Sequence, residues 1–222
     1  MTSILSISDT HQREGKLELP PANILVHAGD FCSHGYMAEF ETFCEWLSTQ
    51  TQFDHIIISP GNHDVCVESN PGICRVMIKN ANPKATLLIH EALRVADLNF
   101  FASPYTKKFG VGWAYNVATP EGLRNTWAAI PDDTDVLVAH QPPLGFGDFI
   151  PDQKAHVGCY QLANKITQSN IRLSIHGHIH EGYGIYPYYD KLTILNASQM
   201  NERYRLANKP ILMHLDPLST TL

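Results

Sequence analysis

Ile56-Ile57-Ile58-Ser59-Pro60-Gly61-Asn62-His63-Asp64 sets an apolar run directly against a polar turn. The run is short and unbroken, and Pro60-Gly61 stops it, so it reads as a buried strand. Four other places share this design. Ile4 to Ser8 leads into Asp9-Thr10-His11, and Ile24 to His27 leads into Gly29-Asp30. Val136 to Ala139 leads into His140, and Leu173 to His176 into Gly177-His178-Ile179-His180. Helical segments alternate with strands through the first half, the βαβ signature of a largely parallel sheet. Open α/β sheets place their active sites at the carboxyl ends of strands, where all five polar clusters fall.

Within Met37 to Ser48, Phe40, Phe43, Cys44 and Leu47 recur at helical spacing, while Glu41 and Glu45 point away. Thr119-Pro120 caps and opens a second helix with Leu123 and Trp127 as its buried stripe. A third helix covers Tyr160 to Ser169. Tyr183 to Tyr188, Leu192 to Leu195 and Ile211 to Leu215 read as strands. Leu87-Leu88 and Asn99 to Ala102 are expected in a second sheet. The expected fold class is α/β, with two packed, mainly mixed β-sheets flanked by helices, as a single domain over residues 1–222.

A chain of 222 residues has room for one sizeable core. Its net charge of −6, with no long basic run, argues against a polymeric nucleic-acid partner but not against a single nucleotide. No apolar run approaches the roughly 18 residues of a membrane helix, so no membrane partner is expected. Strand one starts by Ile4 and leads directly to Asp9, so cleaving a leader would remove a site residue; a cytoplasmic protein is expected. The 5 cysteines are odd in number and lack close pairs, which suggests reduced thiols. Cys66 and Cys74 are read as core residues rather than metal ligands.

Extended backbone would send Asp9 and His11, at i and i+2, to the same side. Gly29 permits a tight turn, and the two oxygens of Asp30 can bridge two cations. Asn62 offers a neutral oxygen ligand, His63 is free to donate a proton, and Asp64 is placed to orient it. His178 and His180, beside a glycine, suit metal coordination, and His176 reads as structural. Taken singly, each cluster has an ordinary reading as a turn or a satisfied histidine; five of them in one order do not. Lys107 to Trp113 reads as an exposed loop whose Trp113 can stack a nucleobase. Arg13 and Arg75 read as phosphate contacts or as surface charges.

The order DxH, GD, GNHD, H, GHxH resembles the calcineurin-like metallophosphoesterase superfamily. The stretches Leu19-Pro20-Pro21, His27-Ala28-Gly29-Asp30-Phe31, Gln141-Pro142-Pro143-Leu144-Gly145-Phe146 and His178-Ile179-His180-Glu181-Gly182 are similar to its MPPED branch, metallophosphoesterase-domain proteins first described from brain. The resemblance covers nearly the whole chain and implies a four-layer αββα sandwich holding two divalent metal ions. Mn2+ is the first choice, with Fe, Zn2+ and Co2+ as the others. By resemblance, metal one is bound by Asp9, His11, Asp30 and His180, and metal two by Asp30, Asn62, His140 and His178. His63 is then the catalytic acid. The implied activity is a phosphodiesterase in which a metal-bridging hydroxide attacks a small phosphate ester, such as a cyclic nucleotide. A broad phosphomonoesterase and a catalytically weak nucleotide-binding regulator are the alternatives. Asp30 is followed by Phe31-Cys32-Ser33, where the superfamily often has a further polar residue, which touches only an accessory contact. His178 and the other implied ligands are all present, which speaks against the regulator.

Overall fold

In a computed structural model, which describes residues 1–216, two sheets pack face to face with helices on their outer sides. The expected domain boundary at residue 222 lies outside the described residues. The first sheet runs in the order Ile211–Leu215, Thr2–Ile7, Ile24–His27, His55–Ile58, Ala85–Leu87. It is parallel except for Ile211–Leu215, which pairs antiparallel with Thr2–Ile7. The second runs Gly184–Tyr188, Leu192–Asn196, Leu173–His176, Val136–Ala139, Leu98–Ser103, Glu91–Val95. Its outermost pairs are antiparallel and its inner pairs parallel.

Strand alternation explains the layers. Ile4, Ile24, Val26 and Ile57 of the first sheet meet Val136, Val138, Leu173 and Ile175 of the second in one core. Their neighbours Leu5, Leu25, Ile56 and Ile58 face the other way, onto Phe40, Phe43 and Leu47 of the helix Met37–Ser48. Beyond the second sheet, Leu137 and Ile194 pack with Leu123 and Trp127 of the helix Pro120–Ala128 and with Leu162 and Ile166 of Tyr160–Thr167. Successive side chains of a strand take opposite faces, so a strand covered on both is mainly apolar, with small exceptions such as Ser174, which bonds His176. Polar chemistry is left for the strand ends.

The helix at Pro120 starts as its sequence predicts, with Thr119 Oγ1 accepting the Gly122 N–H at 3.0 Å. Two findings differ from the sequence reading. Helices Val65–Ser69 and Pro71–Ala81 were not foreseen. Asn70-Pro71 does mark a helix start, but Ile73 and Val76 are 58% and 59% exposed and blur the apolar stripe of Cys74 and Ile78. Leu87 is also not in the second sheet. The helix Pro71–Ala81 carries the chain back beside His55–Ile58, as a crossover between parallel strands does, and only Leu88 packs between the sheets. All five cysteines are free and buried, with Cys66 and Cys74 in the core under the helix Met37–Ser48. Among the described residues no helix is long and apolar enough to cross a membrane.

His27 and His176 are buried and neutral. His27 lies edge-on to Phe31 and Phe43, with Nε2 at 3.0 Å from Thr10 Oγ1. His176 meets Ser174 Oγ and the carbonyls of Ala139 and Gln141. Burial pushes their pKa values down to about 3 and about 4. The unfolded chain binds these protons below about pH 6.5, so both histidines stabilise the native state above that pH and oppose it below. In metal-free protein the unfolding free energy from urea titration should fall as pH drops from 6.5 towards 4, by on the order of 1 kcal/mol per pH unit for each histidine. The slope should be shallower in His27→Leu; an unchanged slope would refute this account of His27.

Candidate metal centre

The five polar clusters meet at the adjoining carboxyl ends of the two sheets. Asp9 N–H donates to the Gly29 carbonyl at 2.8 Å, His11 N–H to that of Asp30 at 3.1 Å, and Gly177 N–H to that of His140 at 3.1 Å. An isolated bridge between Ser8 and Ser198 joins the sheets beside Asp9. The turns are tight. Asp9, His11, Asp30 and His178 have φ of 52°, 44°, 58° and 69°, in the left-handed region that costs non-glycine residues energy. Asp9 and His11 therefore converge through these kinks and not through extended backbone, as their i, i+2 spacing suggested.

Four of the imidazoles are held in one way. Nδ1 of His11 donates to the Cys32 carbonyl (3.0 Å), of His63 to Ser33 (2.6 Å), of His140 to Ala28 (2.8 Å) and of His180 to Asn201 (3.0 Å). A carbonyl can only accept, so each ring has its Nδ1–H fixed and turns Nε2 to the centre. Asp9, His11 and His180 bring donor atoms within 4.8 Å of one another, as do Asp30, His140 and His178, and also His11, Asp30 and His63. Asn62 Oδ1 joins the second group at 3.0 Å from His140 Nε2. All eight residues singled out in the sequence thus share one site.

The donor set fits divalent cations. His11 Nε2 is buried and has no hydrogen-bond partner among the described residues, a costly arrangement unless something accepts its lone pair. Nε2 of His140 has only acceptors around it, Asn62 Oδ1 and Asp30 Oδ2 at 3.2 Å. Burial opposes its charge, but Asp30 and Asp9 outweigh burial and push its pKa up to about 9. His180, 3.4 Å from Asp9 Oδ1, is likewise raised against burial. Burial also opposes ionisation of Asp9 and Asp30, yet His180 and His140 hold both carboxyls well below their usual range. Burial and the neighbouring His140 push His178 down to about 3, leaving a neutral ring with free lone-pair capacity. A cation would displace the protons of His140 and His180, and two anionic carboxylates, the imidazole nitrogens so freed and an amide oxygen suit borderline divalent metals.

Asp64 does not orient His63. Its carboxylate accepts the N–H groups of Asp30 (2.9 Å), Cys32 (2.9 Å) and Gly61 (2.7 Å) and so ties the second cluster to the third. His63 is fixed by Ser33 and by its N–H to Asp30 Oδ1 at 2.8 Å. Lys107 to Trp113 is less free than its composition suggests. Trp113 lies 4.4 Å from the His63 ring and Phe109 5.0 Å from that of His178. Together with Lys107, Ile150 and Val157 they line a cavity of about 510 Å³. Arg75 pairs with Glu91 at 2.7 Å and reads as a surface charge. Sequence reasoning missed Tyr204, whose ring sits 5.1 Å from His11 and 4.9 Å from His180. It also missed Ser198, whose hydroxyl donates to Asp9 Oδ2 at 2.8 Å. Both follow the strand Leu192–Asn196 at its carboxyl end, and that position is the signal that could have found them.

A family model described as calcineurin-like phosphoesterase matches residues 2–182. Metallophosphoesterase domain-containing protein 1 of Homo sapiens is 31% identical over 234 residues, covering 96% of this chain and 71% of the relative. The phosphopantetheinyl hydrolase of Mycobacterium tuberculosis superposes with a TM-score of 0.58 at 17% identity, over 91% of this chain and 90% of that one. The protein TT1561 of Thermus thermophilus does so with 0.57 at 11% identity, over 88% of each. These two likenesses show the fold.

Gly29 combines a positive φ with a close steric demand at the centre. Its φ is +109°, and a Cβ there would lie 2.5 Å from His140 Nδ1 and 2.8 Å from the Gly61 backbone. Gly29→Ala should lower stability by about 2–4 kcal/mol and weaken Mn2+ binding, read by urea unfolding and by calorimetric titration. Wild-type metal affinity in the variant would show that the turn does not set the centre.

Proposed function

The chain belongs to the calcineurin-like phosphoesterase family, and from that membership and the geometry of its polar cluster we propose a dinuclear-metal-dependent phosphoesterase, with phosphodiesters of small nucleotides as substrates. The observation that carries this reading is the pair of donor groups, Asp9-His11-His180 and Asp30-His140-His178, converging from both sheets. Asp9, His11, Asp30 and His180 would hold metal one; Asp30, Asn62, His140 and His178 would hold metal two. Two divalent ions, with Mn2+ the first choice, would supply Lewis acidity and a hydroxide at neutral pH. Their four positive charges against the two carboxylates leave a cationic site for a phosphate anion.

The remaining steps fall to the protein's own groups. His63 keeps Nδ1–H on the Ser33 carbonyl, so a second proton on Nε2 is the one it gives to the departing ester oxygen. Asp30 Oδ2 lies 4.0 Å from that Nε2. Phe109, Trp113 and Tyr204 supply flat apolar walls for a base, and Lys107 supplies a cation at the cavity edge. We take the chain as one domain, and five buried free thiols support a reducing compartment such as the cytoplasm. A screen of phosphate mono- and diesters with Mn2+, cyclic nucleotides included, tests the reading. Stoichiometric metal without turnover on any ester would overturn it.

An acid matters in proportion to how poor its leaving group is. His63→Ala should lower kcat on an alkyl phosphate ester by about 10²–10⁴-fold and on a nitrophenyl ester by only a few-fold. Equal losses on the two would remove His63 from the acid role.

A further inference from the structure

A second cavity, of about 360 Å³, opens on the other side of the rings that close the first. His63, Trp113 and Tyr204 line both. The first continues over Phe109, Ile150 and Val157, while the second continues over Arg13, Ser33 and His34. The two differ in chemistry as well as direction. Arg75, Arg94, Arg172 and Arg203 each stand within ion-pair distance of a carboxylate. Arg13, Arg124 and Arg205 have no such partner among the described residues, and of these three it is the exposed Arg13 that lines this cavity; His34 already engages Glu39 at 3.2 Å. An arginine fork without a counter-ion, at the rim of a cavity that touches the candidate acid, is suited to a phosphate oxygen pair.

We propose that this second cavity is a substrate subsite in which Arg13 binds a further phosphate carried on one arm of the substrate. The proposal rests on the phosphoesterase reading, because it takes the reacting phosphate to sit at the metal centre between the cavities. One ester arm then lies against Phe109 and Trp113. The other passes His63 and Tyr204 towards Arg13. The ligand class is a nucleotide with a second, terminal phosphate, and the charged group is recognised away from the reacting one. The metal centre cannot supply this contact, since its charge is spent on the reacting phosphate.

The test compares thymidine 5′-monophosphate with thymidine 3′,5′-bisphosphate, bound to Mn2+-loaded protein and followed by calorimetry. The bisphosphate should bind wild type about tenfold more tightly, the size of one charge-assisted contact. Arg13→Ala should abolish that advantage. Arg75→Ala removes the same charge at a distance from the site and should retain it. Three results would overturn the subsite: no advantage in wild type, an equal weakening of both ligands in Arg13→Ala, or the same loss of advantage in Arg75→Ala. Hydrolysis of bis(4-nitrophenyl) phosphate, followed on the same wild-type preparation, separates the two readings. Absent turnover on this diester and on every ester of the screen, with the bisphosphate advantage intact, retires the hydrolase reading and leaves the Arg13 cavity as a phosphate-binding site; turnover without that advantage does the reverse.

Discussion

Burial on both faces of the sheets is the constraint from which the rest of this protein follows. A strand such as Val136–Ala139 is covered by the opposing sheet on one side and by helices on the other, so every side chain along it is apolar. Hydrogen-bonding and charged groups can then concentrate only where the strands stop. Parallel strands stop together, and two sheets set face to face bring two such ends into contact. The polar cluster is the place where the layered core runs out, and its low-dielectric walls strengthen each charge interaction inside it.

Within the cluster, position depends on main-chain groups more than on side-chain pairs. Backbone carbonyls hold four imidazoles by Nδ1, and three backbone N–H groups converge on Asp64. The carboxylates of Asp9 and Asp30 also accept main-chain N–H groups, of His178 and His63, and turn their remaining capacity to the imidazole nitrogens. Strained turns at Asp9, Asp30 and His178 persist because this lattice of hydrogen bonds over-determines them. Stability and site geometry are in this sense one network.

The sequence showed the strands and the residues at their ends because unbroken apolar runs and abrupt polar turns are local patterns. It also showed the helix Met37–Ser48, whose buried stripe is clean. It did not show the helix Pro71–Ala81, where Ile73 and Val76 face solvent and dilute the period. Asp9 and His11 do reach the cluster, but through left-handed turns, about which i, i+2 spacing says nothing. Asp64 was given to the nearest histidine in sequence, while it holds Gly61 of its own turn and Asp30 and Cys32 of the turn after another strand. Tyr204 has no local signature; only the course of the chain after the strand Leu192–Asn196 carries it over His11 and His180.

The Asp9 carboxylate is gripped by the His178 N–H and the Ser198 hydroxyl, and the strand that bears it is flanked by Ile211–Leu215. The strand Thr2–Ile7 therefore waits for segments made much later. During synthesis it emerges from the ribosome long before its neighbour on that side exists, and contacts of such separation are slow to form. A nascent chain would carry Asp9 without these contacts until His178 and Ser198 have been made. The order of assembly thus leaves the candidate centre incomplete until late in translation, and a product terminated before Ser198 would lack the hydroxyl that grips Asp9.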